Sequence, residues 1–204
     1  LGVDLGGRRI IKKKIEPGPG GAVVLNAANE WRFPSRRAFF GQLVDAVNEY
    51  AARSHSLPVL HSGGVRTPDG RVLLLPGHMG AGKSTLAAAL VRAGCDYLGD
   101  ESIGIRHDTL AAVAYPKPLS LDATSRELLG LRDMDFPLTS APELRSDVAL
   151  LVGDVGRIDA VVLPAYVPDA PPDRNRLDPP EAVKALLVNT LNLARSGEPG
   201  LTTL

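Results

Sequence analysis

Cysteine occurs once in these 204 residues, as Cys95, so no disulfide can form within the chain. That scarcity suits a reducing compartment, and the expectation is a cytoplasmic protein. Net charge is also missing: 23 Lys and Arg balance 23 Asp and Glu. No global field therefore argues for nucleic acid or an anionic membrane as partner. Apolar runs are short, well under the roughly 20 residues a membrane helix needs, and no secretory leader is legible. What remains is a chain of ordinary globular composition, long enough for one domain with a real core. It reads as a single domain, with a meander and helix over residues 1–57 and a nucleotide-binding core over residues 58–204.

Residues 8–17, "RRIIKKKIEP", then "GPGG" and "AVVLNA", suggest an antiparallel meander. Lys12, Lys13 and Lys14 suit an edge strand protected by charge, with a substrate patch as the other possibility. Ser35 can cap a helix running to about Arg53. Phe39, Leu43 and Val47, with Phe40, Val44 and Ala51 beside them, share one face of it and are expected in the core. "RTPDG" between "PVLHSGGV" and "RVLLLP" predicts a hairpin of strands at about 59–65 and 71–76: proline presets the turn and glycine accepts its unusual angles. A helix over about 83–93 should stop at Gly94. "DYLGDESIGI" suggests a strand broken or ended by its acidic pair. "LAAVAYPKPLSL" suggests a strand and then a proline-stiffened loop, and "DATSRELLG" a short capped helix. Residues 131–157 have no clear pattern. "RIDAVVLPAY" reads as a buried strand and "DAPPDRNRLDPP" as a loop. Asp178 can cap a final helix, with Glu181 completing a capping box and Val183, Leu186, Leu187, Leu191 and Ala194 as its apolar face.

Gly77-His78-Met79-Gly80-Ala81-Gly82-Lys83-Ser84 satisfies the pattern G-x-x-x-x-G-K-[ST], with an apolar strand before it and a helix after it. Glycines let successive N–H groups turn inward toward phosphate oxygens, and the helix N-terminus adds its positive end. Lys83 supplies a point charge for β- and γ-phosphates, and Ser84, followed by Thr85, offers a hydroxyl to Mg²⁺. The pattern points to a nucleoside triphosphate such as ATP; it does not specify a reaction.

Asp100 and Glu101 narrow the choice. Asp100 lies 17 residues after Lys83, at the end of the strand that directly follows the loop's own helix. A helix of about 11 residues covers roughly 16 Å, and a strand of four or five returns nearly as far. The pair is thereby expected back beside the phosphates, where a carboxylate can bind the metal or take a proton from an incoming hydroxyl. Solvated turn carboxylates are the plain alternative. His61, on the strand before the loop, could hydrogen-bond Asp100 and orient it, or be a satisfied strand histidine. Lys117, stiffened by prolines on both sides, could neutralise a transferring phosphoryl group, or be a solvated loop lysine. His78 suits an exposed position, and Cys95 a buried small residue.

Taken together, "HSGGV", the hairpin, "GHMGAGKSTLAAALVRAG" and "YLGDE" resemble the catalytic domain of HPr kinase/phosphorylase and its smaller serine-kinase relatives, over about residues 58–122. "YPKPLSL" is similar to a Pro-basic-Pro segment of those relatives. The resemblance implies an α/β fold, a mixed sheet with flanking helices shared with phosphoenolpyruvate carboxykinase. It implies ATP and Mg²⁺ as cofactors, Asp100 as general base on an acceptor serine, and His61 as the family's histidine before the loop. Glu101 replaces the usual second aspartate, with metal binding or orientation as its role, and Met79 replaces the usual loop serine. The glycine-containing signature associated with dephosphorylation has no counterpart here; Arg126, Arg132 and Arg145 stand in other surroundings. A kinase without phosphorylase activity is expected, acting on a serine of a protein or precursor peptide. A small-molecule kinase on the same core, and a nucleotide-binding regulatory module with little catalysis, are the alternatives. Full-size members form rings, so the resemblance allows a homo-oligomer. Control through HPr itself has less support, as no further N-terminal domain is legible.

Overall fold

The computed structural model describes residues 22–25, 30–33, 36–131 and 138–204. The chain divides into two compact units, Leu1–Tyr50 and Ala51–Leu204. The expected strand at 8–17, its three lysines, Ser35 and Arg132 lie outside the described residues.

In the first unit β1 (Ala22–Leu25) pairs antiparallel with β2 (Glu30–Phe33). Helix α1 (Arg36–Ser54) follows as its spacing predicts. Most of its apolar stripe is not a core, however: Leu43, Val44, Val47 and Ala51 are exposed and Phe39 is half-buried, and the Phe40 side chain lies outside those described. Helical spacing aligns side chains on one face; it does not supply a surface to cover them.

The second unit is mixed α/β, built on a seven-stranded mixed sheet. Its strands are β3 (Val59–Leu60), β4 (Ser62–Arg66), β5 (Val72–Pro76), β6 (Asp96–Gly99), β7 (Ile103–Ile105), β8 (Ala111–Ala114) and β11 (Gly153–Val161), in the order β3-β7-β8-β11-β5-β4-β6. A separate antiparallel pair joins β9 (Leu119–Ser120) to β10 (Leu138–Thr139). The helices are α2 (Lys83–Arg92), α3 (Ala123–Leu128), α4 (Ala141–Leu144), α5 (Pro179–Val188) and α6 (Leu193–Thr203).

The predicted hairpin forms, with β4 and β5 in register from Ser62↔Pro76 to Arg66↔Val72. Its turn closes through Gly70 N–H to the Thr67 carbonyl, with Gly70 at φ 89°. Leu60 pairs with β7 while Ser62, two residues on, pairs with β5. One continuous segment, 59–66, therefore serves both ends of the strand path from β7 through β5, and the sheet curls back on itself. Alternation along β5 divides its side chains between two cores. Leu75 packs with Ala87, Ala88 and Val91 of α2, and with Tyr97 and Leu119. Val72 and Leu74 pack with Leu60, Leu98, Ile103 and Ala112.

Two further expectations are corrected. β11 is paired on both edges, to β8 and β5, but Ala160, Val161 and Val162 are exposed. An apolar run records strand propensity, not which face is covered. The final helix is also two helices. Asp178 caps α5 as expected, its carboxylate accepting from Glu181 N–H, while the reciprocal bond to the Glu181 side chain is not formed among the described residues. The Asn189 and Thr190 side chains then turn back onto the carbonyls of Ala185 and Leu186, and Thr190 leaves to bridge Leu60. Leu191 and Ala194 consequently lie beyond α5, and Val183 and Ala194 are exposed. Residues 131–157, unassigned from sequence, contribute β10, α4 and the start of β11.

Asn192 locks this junction to the strand that feeds the hairpin. Its buried amide accepts from Val59 N–H and donates to the carbonyls of His55 and Leu57, at 2.9, 2.9 and 2.8 Å. Asn192→Ala leaves three backbone groups without these partners, at a cost of about 1–3 kcal/mol for each group left unsatisfied. Urea denaturation should show a loss on the order of 3 kcal/mol; a loss under about 0.5 kcal/mol would mean that the bonds are readily replaced by water.

Candidate active site

β4 lies between β5 and β6 and is antiparallel to both, so β5 and β6 run the same way and end at the same edge. β5 ends at Pro76, just before the glycine loop, and β6 ends at Gly99, just before Asp100. His61 immediately precedes β4 at that edge. Three backbone bonds stitch the junction. Gly77 N–H donates to the His61 carbonyl, Ser62 N–H to the Glu101 carbonyl, and His61 N–H to the Asn189 carbonyl. With neighbouring strands about 4.8 Å apart, the loop and the acidic pair are separated by roughly two strand spacings.

The loop curls as its glycines allow. Gly80 and Gly82 take φ of 82° and 93°, and Gly82 opens α2 without a side-chain cap. Lys83 is 7% exposed, and its Nζ donates to the His78 carbonyl at 3.0 Å. Burial lowers its pKa, while Asp100 and Glu101 pull the other way. His78 and Met79 are exposed, as expected for His78. Ser84 is half-buried. The Thr85 hydroxyl is 2.7 Å from that of Ser125 and so ties α2 to α3.

Gly99 is required by close approach, since a Cβ there would stand 2.9 Å from the Tyr115 carbonyl oxygen. The chain therefore turns tightly into Asp100, which is 3% exposed. Asp100 Oδ2 accepts from Ser120 N–H at 3.2 Å. Lys117 Nζ lies 3.3 Å from Asp100 Oδ1 and 2.8 Å from Glu101 Oε2. These are ion-pair contacts; neither oxygen accepts a well-directed hydrogen bond among the described residues. Burial opposes the Lys117 charge, but Asp100 and Glu101 outweigh it and hold its pKa above the ordinary lysine value. The buried Tyr97 hydroxyl donates to the Lys117 carbonyl at 2.8 Å, a support that sequence reasoning missed because Tyr97 reads only as a strand residue.

Five of the expected residues, His61, Lys83, Asp100, Glu101 and Lys117, thus feel one another's charge. The expected hydrogen bond from His61 to Asp100 is not formed among the described residues. Asp100 instead faces the Ser120 amide and Lys117, because the 115–120 segment returns across the end of β6. Arg126 is buried against Thr139, and Arg145 donates to the Cys95 carbonyl and to Asp96. Cys95 is buried, as expected, and its thiol pKa is raised by that burial.

Burial and Lys83 lower the His61 pKa, against the pull of Glu101 and Asp100. The unfolded chain then binds the His61 proton more readily than the folded one. Its contribution to stability is complete above about pH 6.5, the ordinary histidine value, and is lost as pH falls below it. Stability measured at pH 7.5 and 5.5 should decline at the lower pH, and His61→Gln should reduce that decline. A decline that His61→Gln leaves untouched belongs to other groups.

Among the described residues no group of three or more His, Cys, Asp or Glu gathers to hold a metal by itself. Of the two carboxylates, the Glu101 side chain is the more open, at 34% exposed against 2% for Asp100, and a cation that takes few protein oxygens and keeps its waters would suit it. No helix among the described residues is long and apolar enough to cross a membrane. No protein-family model matches the sequence, and no curated protein matches it.

Proposed function

We propose that this chain is an ATP-dependent kinase that phosphorylates a serine hydroxyl of a protein or precursor peptide, on an HPr kinase-like core and without phosphorylase activity. The observation that carries this reading is the meeting, at one sheet edge, of a glycine loop ending in buried Lys83 and a buried Asp100 beside Lys117. A phosphate cradle without a base would bind nucleotide; a base beside it has a hydroxyl proton to take.

In this reading the loop from Gly77 to Thr85 holds the phosphates, with Lys83 released from the His78 carbonyl to face them. Ser84 and Glu101 would hold Mg²⁺, which neutralises charge on the phosphates and aligns them. Asp100 takes the acceptor proton as the serine oxygen attacks the γ-phosphorus and the bond to the β-phosphate oxygen breaks. Its burial keeps water from competing for the carboxylate. Lys117, already charged and held by its carbonyl contact to Tyr97, offsets the developing negative charge.

The test is transfer of labelled γ-phosphate from ATP-Mg to candidate peptides encoded near the gene, with mass spectrometry of the products. Phosphoserine on a peptide supports the proposal. Label on a metabolite makes the protein a small-molecule kinase, and tight ATP binding without any transfer makes it a nucleotide-binding module.

A further inference from the structure

β11 is the parallel neighbour of β5, so the chain leaving it emerges beside the glycine loop. The pairing runs one residue past the strand, through Val162 N–H to the Leu74 carbonyl. Leu163 and Pro164 follow, and Tyr166 N–H then donates to the Ala81 carbonyl at 3.2 Å. A Cβ built on Gly82 would stand 3.6 Å from Tyr166 Cβ, so the root of this side chain borders the open space beside Gly82. The Tyr166 backbone is thus tied to the loop by a hydrogen bond, and the root of its side chain stands beside Gly82. Its side chain is nevertheless left open: Tyr166 is 61% exposed, and no described residue hydrogen-bonds its hydroxyl.

An aromatic ring on a fixed backbone, bare on the solvent side and beside a phosphate cradle, has the properties of a stacking wall. Ligand sites combine a few polar anchors with aromatic surface, and a tyrosine offers a large π-face at small conformational cost. A nucleotide held by its phosphates in the loop carries a flat base that must lie against some surface. We propose that Tyr166 is that surface: it forms the base subsite for a nucleoside triphosphate, stacking on the nucleobase. This rests on the nucleotide-binding reading above and adds a residue from outside the loop and the acidic pair.

The test compares a ligand that has a base with one that lacks it. Calorimetry on the full chain should show that Tyr166→Ala weakens ATP binding about tenfold or more, the range found when a base loses its aromatic partner. Inorganic tripolyphosphate binding should stay within about twofold, and Tyr166→Phe should keep near-normal ATP affinity. Tyr166→Trp should give a fluorescent reporter quenched by ATP and not by tripolyphosphate. Unchanged ATP affinity in Tyr166→Ala overturns the proposal. Equal losses for ATP and tripolyphosphate overturn it too, because the residue would then only shape the loop. A wild-type chain that binds neither ligand removes the nucleotide reading itself, and the base subsite with it.

Discussion

Asp100→Asn is expected to slow phosphoryl transfer by on the order of 10²–10⁴-fold, the usual cost of losing a general base, while ATP binding stays largely intact. The amide is nearly isosteric with the carboxylate and can still accept from Ser120 N–H, so the turn after β6 should hold. Lys117 keeps its closer partner, Glu101, at 2.8 Å, and its charge is not stranded. What the amide cannot do is take the serine proton. If Asp100 is instead a metal ligand, Mg²⁺ affinity should fall together with turnover, with partial rescue by Mn²⁺. Glu101→Gln should show that metal pattern more strongly. Single-turnover transfer measured across a Mg²⁺ titration in both variants separates the two roles. Near-normal transfer by the Asp100→Asn enzyme would remove Asp100 from the chemistry altogether.

Lys83→Ala should abolish detectable transfer and weaken ATP binding by roughly ten- to a hundredfold, the equivalent of one charge-assisted contact. The structure adds a second expectation. Burial disfavours the Lys83 ammonium in the folded chain, where its bond is to the neutral His78 carbonyl. Lys83→Met keeps the aliphatic stem and removes the buried charge. Its unfolding midpoint should therefore equal or exceed that of the wild type, while nucleotide binding falls as in Lys83→Ala. Loss of binding with a stable fold places the defect in the site. A Lys83→Met protein that binds ATP normally would take the glycine loop out of the proposal.

The parts of the site written in contiguous sequence are legible in the sequence alone. Pro68-Asp69-Gly70 produces its turn through local backbone preferences, Gly94 ends α2 through a positive φ of 111°, and Asp122 and Asp178 cap α3 and α5 through bonds three residues away. The glycine loop and the short distance to Asp100 were legible for the same reason: helix rise and strand rise alone return the chain to where it started. Tertiary structure decided the rest. It placed β4 between the two strands that end at the loop and the acidic pair. It brought Lys117, rather than His61, onto Asp100, because the 115–120 segment crosses the end of β6. It broke the last helix at Asn189, where side-chain bonds and the bridge to Leu60 outweighed a continuing apolar pattern, and it left the stripe on α1 and the run on β11 exposed. It also set Tyr166 against the loop, 84 residues after Gly82. Periodicity and turn chemistry are local and act within a few residues; which face is covered, and which distant side chain meets a carboxylate, depends on partners that only the folded chain supplies.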